Sequence, residues 1–279
     1  MTGKKKIQTK AYVQSPNAPI GIFDSGVGGL TVMRAVHTLM PNERLIYFGD
    51  TARIPYGPKS KTTIIRYSRQ IVNFLLSRKV KMIIVACNTA TSYALATLRR
   101  ITDIPIIGVI DPVAAKAAKM TKNGRVGVIG TSGTIGSHKY VDALRKYDKS
   151  IRVYQEETGL FVPLVEEGWT RHPVVRMIIN EYLLPLRKRK IDTLILGCTH
   201  YPLLRNGISA VMGTVRLLES GAATADAAQT ILVRKGLRSL RTAVPSVQIY
   251  ASDVSPVFRN LAQTIMGDDH TIIHLKVME

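Results

Sequence analysis

The sequence contains few cysteines and no long apolar run. Two cysteines in 279 residues are too few for a disulfide framework, so each is either a buried structural thiol or a reactive one. No apolar segment approaches the roughly 18 to 20 residues of a membrane span, and the first residues lack the apolar centre of a secretory signal. These absences predict a cytoplasmic protein.

Acidic residues are also scarce. The chain has 19 Asp and Glu residues against 39 Lys and Arg residues, which gives a formal net charge of +20. A surface of this charge favours contact with anions such as small acids or nucleic acid. The cations are scattered and no nucleic-acid recognition motif accompanies them, so a solvated basic surface is the favoured interpretation. A nucleic-acid partner stays open, and no membrane partner is expected.

Short apolar runs bounded by turn residues alternate with longer stretches of helical periodicity. This is the pattern of a parallel sheet covered by crossover helices, and it predicts an α/β fold. Strands are expected near residues 20–24, 44–49, 81–86, 105–110, 125–130, 151–155, 192–197, 214–218, 247–251 and 271–277. Helices are expected near residues 28–40, 60–79, 88–100, 112–121, 133–147, 172–188, 201–212, 221–236 and 255–266.

Two halves of the chain repeat one another. GIFDSGVGG (21–29) is followed by KMIIVACNTA (81–90), and VGVIGTSGT (126–134) is followed by DTLILGCTHY (192–201). Each pair consists of an apolar strand that ends in a Gly/Ser/Thr turn and a second apolar strand that ends near a cysteine. We therefore predict two pseudo-symmetric α/β domains with mainly parallel sheets, and an active site in the cleft between them.

The predicted domain boundaries follow from this repeat. The second half begins near Val126 and includes the strand near 214–218, so the remaining C-terminal segment needs the first sheet to join. The charged and polar N-terminal arm is typical of a mobile tail. The predicted division is a basic flexible tail over 1–19, a first lobe over 20–112 that is completed by 225–279, and a second lobe over 113–224.

The two cysteines occupy matching places in the repeat. Cys87 and Cys198 each follow an apolar strand and precede a helical stretch, where backbone N–H groups and partial positive charge favour a thiolate. A lone cysteine of this kind is best interpreted as a buried structural thiol, but two in equivalent places indicate function. Inverting a stereocentre requires a base on one face and a proton donor on the other. Thiols with a pKa of about 8.5 can supply both, because one can be a thiolate while the other stays protonated.

Polar side chains accompany the cysteines. Asp24, Glu166 and His200 are candidates to orient the thiols or help deprotonate them. Hydroxyl and amide groups could donate hydrogen bonds to substrate carboxylates, and the candidates are Ser25, Asn88, Thr89, Thr131, Thr134 and Thr199. Two alternatives stay open: Ser25 and Thr131 could simply cap helices, and His200 could only satisfy a turn.

The glycine cluster in GIFDSGVGG does not form a nucleotide-binding motif. The segment lacks G-x-G-x-x-G in the required register, and no G-x-x-x-x-G-K-[ST] occurs in the chain. The glycines therefore indicate a close approach of backbone to another group. No compact His/Cys/carboxylate cluster is visible either, so no metal site is predicted.

Six segments carry a resemblance to a known family. In chain order they are GIFDSGVGGLTV, YFGDTARIPYG, ACNTAT, VIGTSGTIGS, LFVPLVEEG and LGCTHYPLL. Together they closely resemble the successive signatures of bacterial glutamate racemases, from about residue 20 to the SDVSPVF segment near the C-terminus. The related aspartate racemases share the paired cysteines, but FDSGVGG and GDTARIPYG resemble the glutamate branch.

The resemblance implies a function and a set of residue roles. It implies the interconversion of L- and D-glutamate, without pyridoxal phosphate, another cofactor or a metal, to supply D-glutamate for peptidoglycan. Cys87 would take the proton from D-glutamate with help from Asp24, and Cys198 would take it from L-glutamate with help from Glu166 and His200. The implied substrate contacts are Asp24, Ser25, Tyr56, Gly57, Asn88, Thr89, Thr199 and His200. A homodimer is expected.

Some features leave room for other functions. A racemase for aspartate, or for several acidic amino acids, is an alternative, because one methylene is worth only about 1–3 kcal/mol in a pocket. A nucleic-acid or topoisomerase-binding role through the basic surface is another, and it could coexist with catalysis. The chain also departs from the family at Thr158-Gly159, where Cys-Pro is frequent, and at Glu219, where Asp is usual. These departures are expected to affect packing or regulation more than activity.

Overall fold

The computed structural model describes residues 15–267 and 270–275, and it shows an α/β fold with two parallel sheets. The strands are β1 (Ile20–Asp24), β2 (Leu45–Gly49), β3 (Met82–Val85), β4 (Ile106–Gly108), β5 (Arg125–Gly130), β6 (Arg152–Glu157), β7 (Thr193–Gly197), β8 (Arg216–Glu219), β9 (Val247–Ala251) and β10 (His270–His274). The helices are α1 (Leu30–Leu39), α2 (Lys61–Ser77), α3 (Asn88–Leu98), α4 (Ile110–Met120), α5 (Ser132–Gly136), α6 (Lys139–Tyr147), α7 (Phe161–Glu166), α8 (Pro173–Lys188), α9 (Arg205–Met212), α10 (Ser220–Arg234) and α11 (Pro256–Met266). No helix within the described residues has the length and hydrophobicity that a transmembrane span needs.

The first sheet has six strands in the order β10-β9-β2-β1-β3-β4. Its central strands β1, β2 and β3 are buried along their whole length. They consist almost entirely of apolar residues, as parallel strands covered on both faces require. The C-terminal strand β9 pairs with β2, and β10 adds to β9. The C-terminal segment therefore returns to the sheet that carries β1 and β3.

The second sheet has four strands in the order β6-β5-β7-β8. In this sheet Gly130 pairs with Gly197 at the ends of β5 and β7, and in the first sheet Phe23 pairs with Val85 near the ends of β1 and β3. Neighbouring parallel strands end at the same edge of a sheet. The loops that follow β1 and β3 therefore lie side by side, as do the loops that follow β5 and β7.

The predicted α/β class is confirmed, and each predicted strand overlaps an observed one, although residues 276 and 277 lie outside the described range. The predicted helix over 133–147 was wrong as a single element. It breaks at His138, whose positive φ of 54° is incompatible with a continuous helix. The domain boundaries stay a prediction, and most of the predicted tail, residues 1–14, lies outside the described residues.

Two helical segments differ from the prediction near the pocket. The helix expected over 201–212 begins as a 3₁₀ turn at Tyr201–Leu204 and becomes α-helical only from Arg205. The short helix α7 was not predicted. It contains only six residues, and a segment of that length is too short for helical periodicity to be recognised.

Candidate active site

All thirteen residues singled out in the sequence line one pocket between the carboxyl edges of the two sheets. The cavity volume is about 30 Å³, which is enough for only a few water molecules. Four further lining residues were not predicted. Pro55, Ile54 and Gly197 are neighbours in sequence of predicted residues, whereas Val162 lies on the unpredicted helix α7.

Cys87 lies at the N-terminal cap of α3, just beyond β3. Its sulfur accepts a hydrogen bond from the backbone N–H of Ala90 at 3.4 Å, and its thiol donates to Ser25 Oγ at 3.7 Å. Burial raises the pKa of Cys87 well above its ordinary value, and the negative charge of Asp24 raises it further. The expectation that the helix N-terminus would favour a thiolate here was therefore wrong, because desolvation outweighs the two hydrogen bonds. Cys87 is a thiol in the free protein.

Asp24 ends β1 and is completely buried. Its Oδ2 atom accepts hydrogen bonds from the backbone N–H of Gly29 at 2.8 Å and from the hydroxyl of Thr199 at 3.2 Å. Within the described residues its Oδ1 atom has no hydrogen-bond partner. A buried carboxylate oxygen without a partner is costly, so Oδ1 is suited to accept a hydrogen bond from a substrate ammonium group.

Cys198 has a different set of neighbours. Its sulfur lies 3.8 Å from Nδ1 of His200, and Nε2 of His200 lies 3.2 Å from Oε1 of Glu166, an ion-pair contact that is too poorly aligned for a hydrogen bond. Burial by itself would lower the pKa of His200. Interaction with Cys198 and Glu166, together with the charge of Asp24, outweighs burial and raises that pKa to about 10. An imidazolium therefore stands beside the second sulfur.

Three threonine hydroxyls form a cluster where α3 meets α5. The hydroxyl of Thr131 lies 2.9 Å from that of Thr89 and 3.2 Å from that of Thr134. The hydroxyls of Thr89 and Thr134 lie 3.2 Å apart. Thr131 occupies the cap position of α5 but makes no side-chain capping bond. Helix capping is therefore not the role of Thr131, and its hydroxyl is directed into a group of donors that lines the pocket.

The loop that carries Tyr56 is fixed by a buried carboxylate that the sequence reasoning missed. Asp50 Oδ2 accepts from the Tyr56 hydroxyl at 2.5 Å, and both Asp50 oxygens lie 2.9 Å from Nε of Arg53. The hydroxyl of Ser252, which follows β9, donates to the same carboxylate at 3.1 Å. The available signal was an aspartate directly after the apolar strand β2, a pattern similar to that of Asp24, which ends β1.

A glycine allows the two sheets to approach each other. A Cβ atom on Gly28 would lie 2.5 Å from Oγ1 of Thr199 and 2.6 Å from Nδ1 of His200. Any side chain at this position would displace one of them, because real Cβ contacts are longer. The predicted close backbone approach of the GIFDSGVGG segment is thus confirmed at Gly28.

The pocket is poor in cationic groups. No lysine or arginine is among the described residues that line it. The donors available to a carboxylate are hydroxyls, an amide and backbone N–H groups, with the His200 imidazolium on one side. Across residues 15–267 and 270–275, no three His, Cys, Asp or Glu side chains are grouped so that they could hold a metal ion.

The chain is similar to known proteins of one family. The model of the Asp/Glu/Hydantoin racemase family matches residues 20–228. A glutamate racemase from Sulfurihydrogenibium sp. (strain YO3AOP1) is 47% identical over 254 residues, which cover 91% of this chain and 95% of that protein. The solved structure of a glutamate racemase isoform from Bacillus anthracis is similar with a TM-score of 0.90 and 38% identity, over 94% of this chain and 100% of that one. The solved structure of a glutamate racemase from Francisella tularensis in complex with D-glutamate has a TM-score of 0.87 and 35% identity. The match covers 95% of this chain and 98% of that one.

Proposed function

This chain belongs to the Asp/Glu/hydantoin racemase family, and we propose from that premise that Cys87 and Cys198 are the opposed acid and base of its reaction. The function is the racemisation of glutamate, so the enzyme is an isomerase. The observation that carries the two-thiol mechanism is that cysteines from two different sheets line one pocket, each with its own polar partners. The proposed role is the supply of D-glutamate for peptidoglycan synthesis in the cytoplasm.

Neutral donors hold the carboxylates of glutamate in this proposal. They are the side chains of Ser25, Asn88, Thr89, Thr131, Thr134 and Thr199. The unpartnered Oδ1 of Asp24 accepts from the substrate ammonium. Removal of the Cα proton moves negative charge onto the α-carboxylate, so the hydrogen bonds to that one of the two carboxylates become stronger in the transition state and lower the barrier.

The resting protonation state fits L-glutamate. Cys87 is a thiol, and the imidazolium of His200 accompanies Cys198. In the proposed step the Cys198 thiolate takes the Cα proton from one face, and the Cys87 thiol gives its proton to the other. The product is D-glutamate, with Cys198 now protonated and Cys87 a thiolate. That state is the one required for the reverse reaction.

Circular dichroism of L-glutamate with the purified protein and no added cofactor tests the function. The ellipticity is expected to decay to zero as the two enantiomers reach equal concentration. An unchanged signal would overturn the assignment. The same assay with L- and D-aspartate tests the broader specificity, which the comparisons do not favour.

We propose a homodimer that uses the exposed face of α8. Val174, Met177 and Leu184 are 38%, 72% and 38% exposed, and they lie on one side of the helix at spacings of three and seven residues. Exposed apolar stripes of this kind are typical of protein interfaces. Light scattering should show a dimer for the wild type and a monomer for Met177→Lys. The control is Val233→Lys, which changes an apolar residue that is 57% exposed on α10. It should leave the dimer intact.

Nucleic-acid binding is a second proposal. It concerns the edge of the second sheet where the strands begin, opposite the edge that faces the pocket. Arg125, Arg152 and Arg216 are the first residues of β5, β6 and β8, and Arg125 lies directly opposite Arg152. None of the three forms an ion pair with a carboxylate in the described part of the chain. Adjacent like charges repel unless an anion lies between them, and a phosphate backbone supplies a row of anions.

Binding of a fluorescent DNA duplex at several salt concentrations tests this second proposal. Changing the three arginines to Ser should weaken binding and reduce the salt slope by about one for each phosphate that is no longer neutralised. Glutamate racemisation should be unchanged. The matched control changes Arg66 and Arg69 on α2 to Ser. An equal weakening of binding in that control would show diffuse charge attraction and contradict a site at the sheet edge.

A further inference from the structure

Asn88, which follows Cys87 directly, is held by a side chain from the other sheet's helices. Tyr140 lies on α6, which packs in the core of the second sheet, and it is fully buried. Its hydroxyl donates a hydrogen bond to Oδ1 of Asn88 at 2.7 Å. Asn88 is the first residue of α3 and lines the pocket. The hydrogen bond therefore links the first-sheet cysteine loop to the second-sheet half of the molecule.

The other end of the Asn88 amide has no protein partner. Nδ2 is buried and lacks a hydrogen-bond acceptor among the described residues, although Asn88 as a whole is only 3% exposed. An unsatisfied donor in such a place is costly. A substrate carboxylate in the pocket would supply the missing acceptor.

The direction of the Tyr140 hydrogen bond decides which end of the amide faces the pocket. An asparagine side chain can exchange its oxygen and nitrogen by a rotation of 180°. Burial raises the pKa of Tyr140 well above its ordinary value, so the phenol keeps its proton and can donate. The neighbouring Ser220 hydroxyl is the group available to donate to the phenol oxygen. With the phenol proton used on Oδ1, the NH2 group is left for the pocket.

We infer that Tyr140 is a positioning residue for racemisation, because its hydroxyl fixes the Asn88 amide with Nδ2 directed at a carboxylate of bound glutamate. The inference rests on the proposed function of the pocket. It adds a residue that touches neither the substrate nor a thiol and acts only through Asn88. It also makes the first-sheet half of the carboxylate site dependent on the second-sheet half.

The variant Tyr140→Phe removes the hydroxyl and keeps the ring in the core. Without this hydroxyl the Asn88 amide should no longer be held towards the substrate carboxylate. A hydrogen bond to a charged group of this kind is worth about a 10- to 100-fold change in kcat/KM. Most of this loss should appear as a higher KM for both enantiomers, because the carboxylate is bound before and during proton transfer. The Cα proton chemistry itself should be less affected, so kcat should fall less than KM rises.

A double-mutant cycle separates positioning from a general weakening of packing. In Asn88→Ala the amide is absent, so adding Tyr140→Phe should change KM by less than about twofold. Two controls lie on the same helix: Tyr147→Phe removes an exposed hydroxyl, and Leu144→Val removes a buried methylene. Both should keep the KM of the wild type, and Leu144→Val should lower the melting temperature at least as much as Tyr140→Phe.

Asn88→Asp provides a test that does not depend on the tyrosine variant. It keeps the oxygen that accepts from Tyr140 but removes the NH2 group, so folding should be retained while KM rises at least as much as in Tyr140→Phe. A KM within twofold of wild type for Tyr140→Phe, or an equal effect of that change in the Asn88→Ala background, would overturn the inference. Wild-type protein that leaves L-glutamate unchanged would instead refute the proposed function.

Discussion

The two thiols lie at equivalent places in two parallel sheets, yet their neighbours differ. Cys87 is next to a neutral hydroxyl and a carboxylate, and burial keeps it protonated. Cys198 is next to His200, whose pKa is raised by the interaction with Cys198 itself and then by Glu166. A duplicated backbone thus gives symmetric positions for the sulfurs, and in the proposed mechanism the side chains around them decide which one starts as acid and which as base.

Removing either thiol should have the largest effect. Cys87→Ser and Cys198→Ser should each reduce racemisation by about 100- to 10,000-fold, the range for loss of a general acid or base. The two variants should differ with a glutamate analogue that carries a leaving group on the β-carbon, because elimination needs only the abstracting base. Cys87→Ser should retain elimination from the L-isomer and Cys198→Ser from the D-isomer, as measured by release of the leaving group. The opposite pattern would reverse the assignment of the two faces.

Forcing the two sheets apart at the pocket should impair the reactions of both thiols to a similar extent. In Gly28→Ala the new Cβ would collide with Thr199 and His200, and a misplacement of about 1 Å can cost on the order of 100-fold in rate. We expect kcat/KM for glutamate to fall, and elimination from the L- and D-isomers of the β-substituted analogue to fall to a similar extent. Gly136→Ala is the matched control, since nothing lies within 4 Å of its added Cβ. A loss of elimination confined to one isomer would mean that the collision is absorbed on one side of the pocket.

Removing the charge beside Cys198 should impair reactions that use Cys198 as the base more than reactions that use Cys87. His200→Asn should lower kcat/KM for glutamate by about 10- to 1,000-fold, and by the same factor from either enantiomer, because the equilibrium constant of a racemisation is 1. The difference between the thiols should appear in elimination from the β-substituted analogue: release of the leaving group should fall more for the L-isomer than for the D-isomer, because the imidazolium stands beside Cys198. Equal losses of elimination from both isomers would argue against a role specific to Cys198.

The same histidine predicts a pH dependence of stability. The pKa of His200 is raised from its ordinary 6.5 to about 10 in the folded protein, so the folded state binds the proton more tightly than the unfolded chain. The stabilisation is fully present below about pH 6.5 and is lost as the pH rises through about 10. Melting temperatures of wild type and His200→Asn should therefore differ most near neutral and lower pH and converge at high pH. Curves that diverge at high pH would contradict the raised pKa.

A change outside the pocket should have the smallest effect. Glu219 lies 2.6 Å from Nη1 of Arg205, and both side chains are partly exposed at 33% and 47%. Glu219→Asp, which restores the residue usual in the family, should leave kcat/KM unchanged and alter the free energy of unfolding by less than about 1 kcal/mol. A large effect on kinetics would show that β8 communicates with the pocket. Denaturant titration and steady-state rates settle both points.

The sequence by itself determined the α/β class, the strands and thirteen of the seventeen residues that line the pocket. Alternating apolar runs and turn residues are local signals, and in parallel sheets the positions that follow strands share one edge, so Asp24, Cys87 and Cys198 could be brought together from chain order alone. The resemblance to a family added Tyr56 and Gly57. The reaction then followed from two thiols in matching places.

Only the tertiary structure decided how the two halves meet. The protonation of Cys87 depends on burial by distant residues, and the contact of Tyr140 with Asn88 is a hydrogen bond that crosses 52 positions of the chain. The short helix α7, which brings Val162 to the pocket, is held by packing in the second core rather than by its own periodicity. Desolvation and long-range contacts are properties of the folded volume, and no local pattern of residues encodes them.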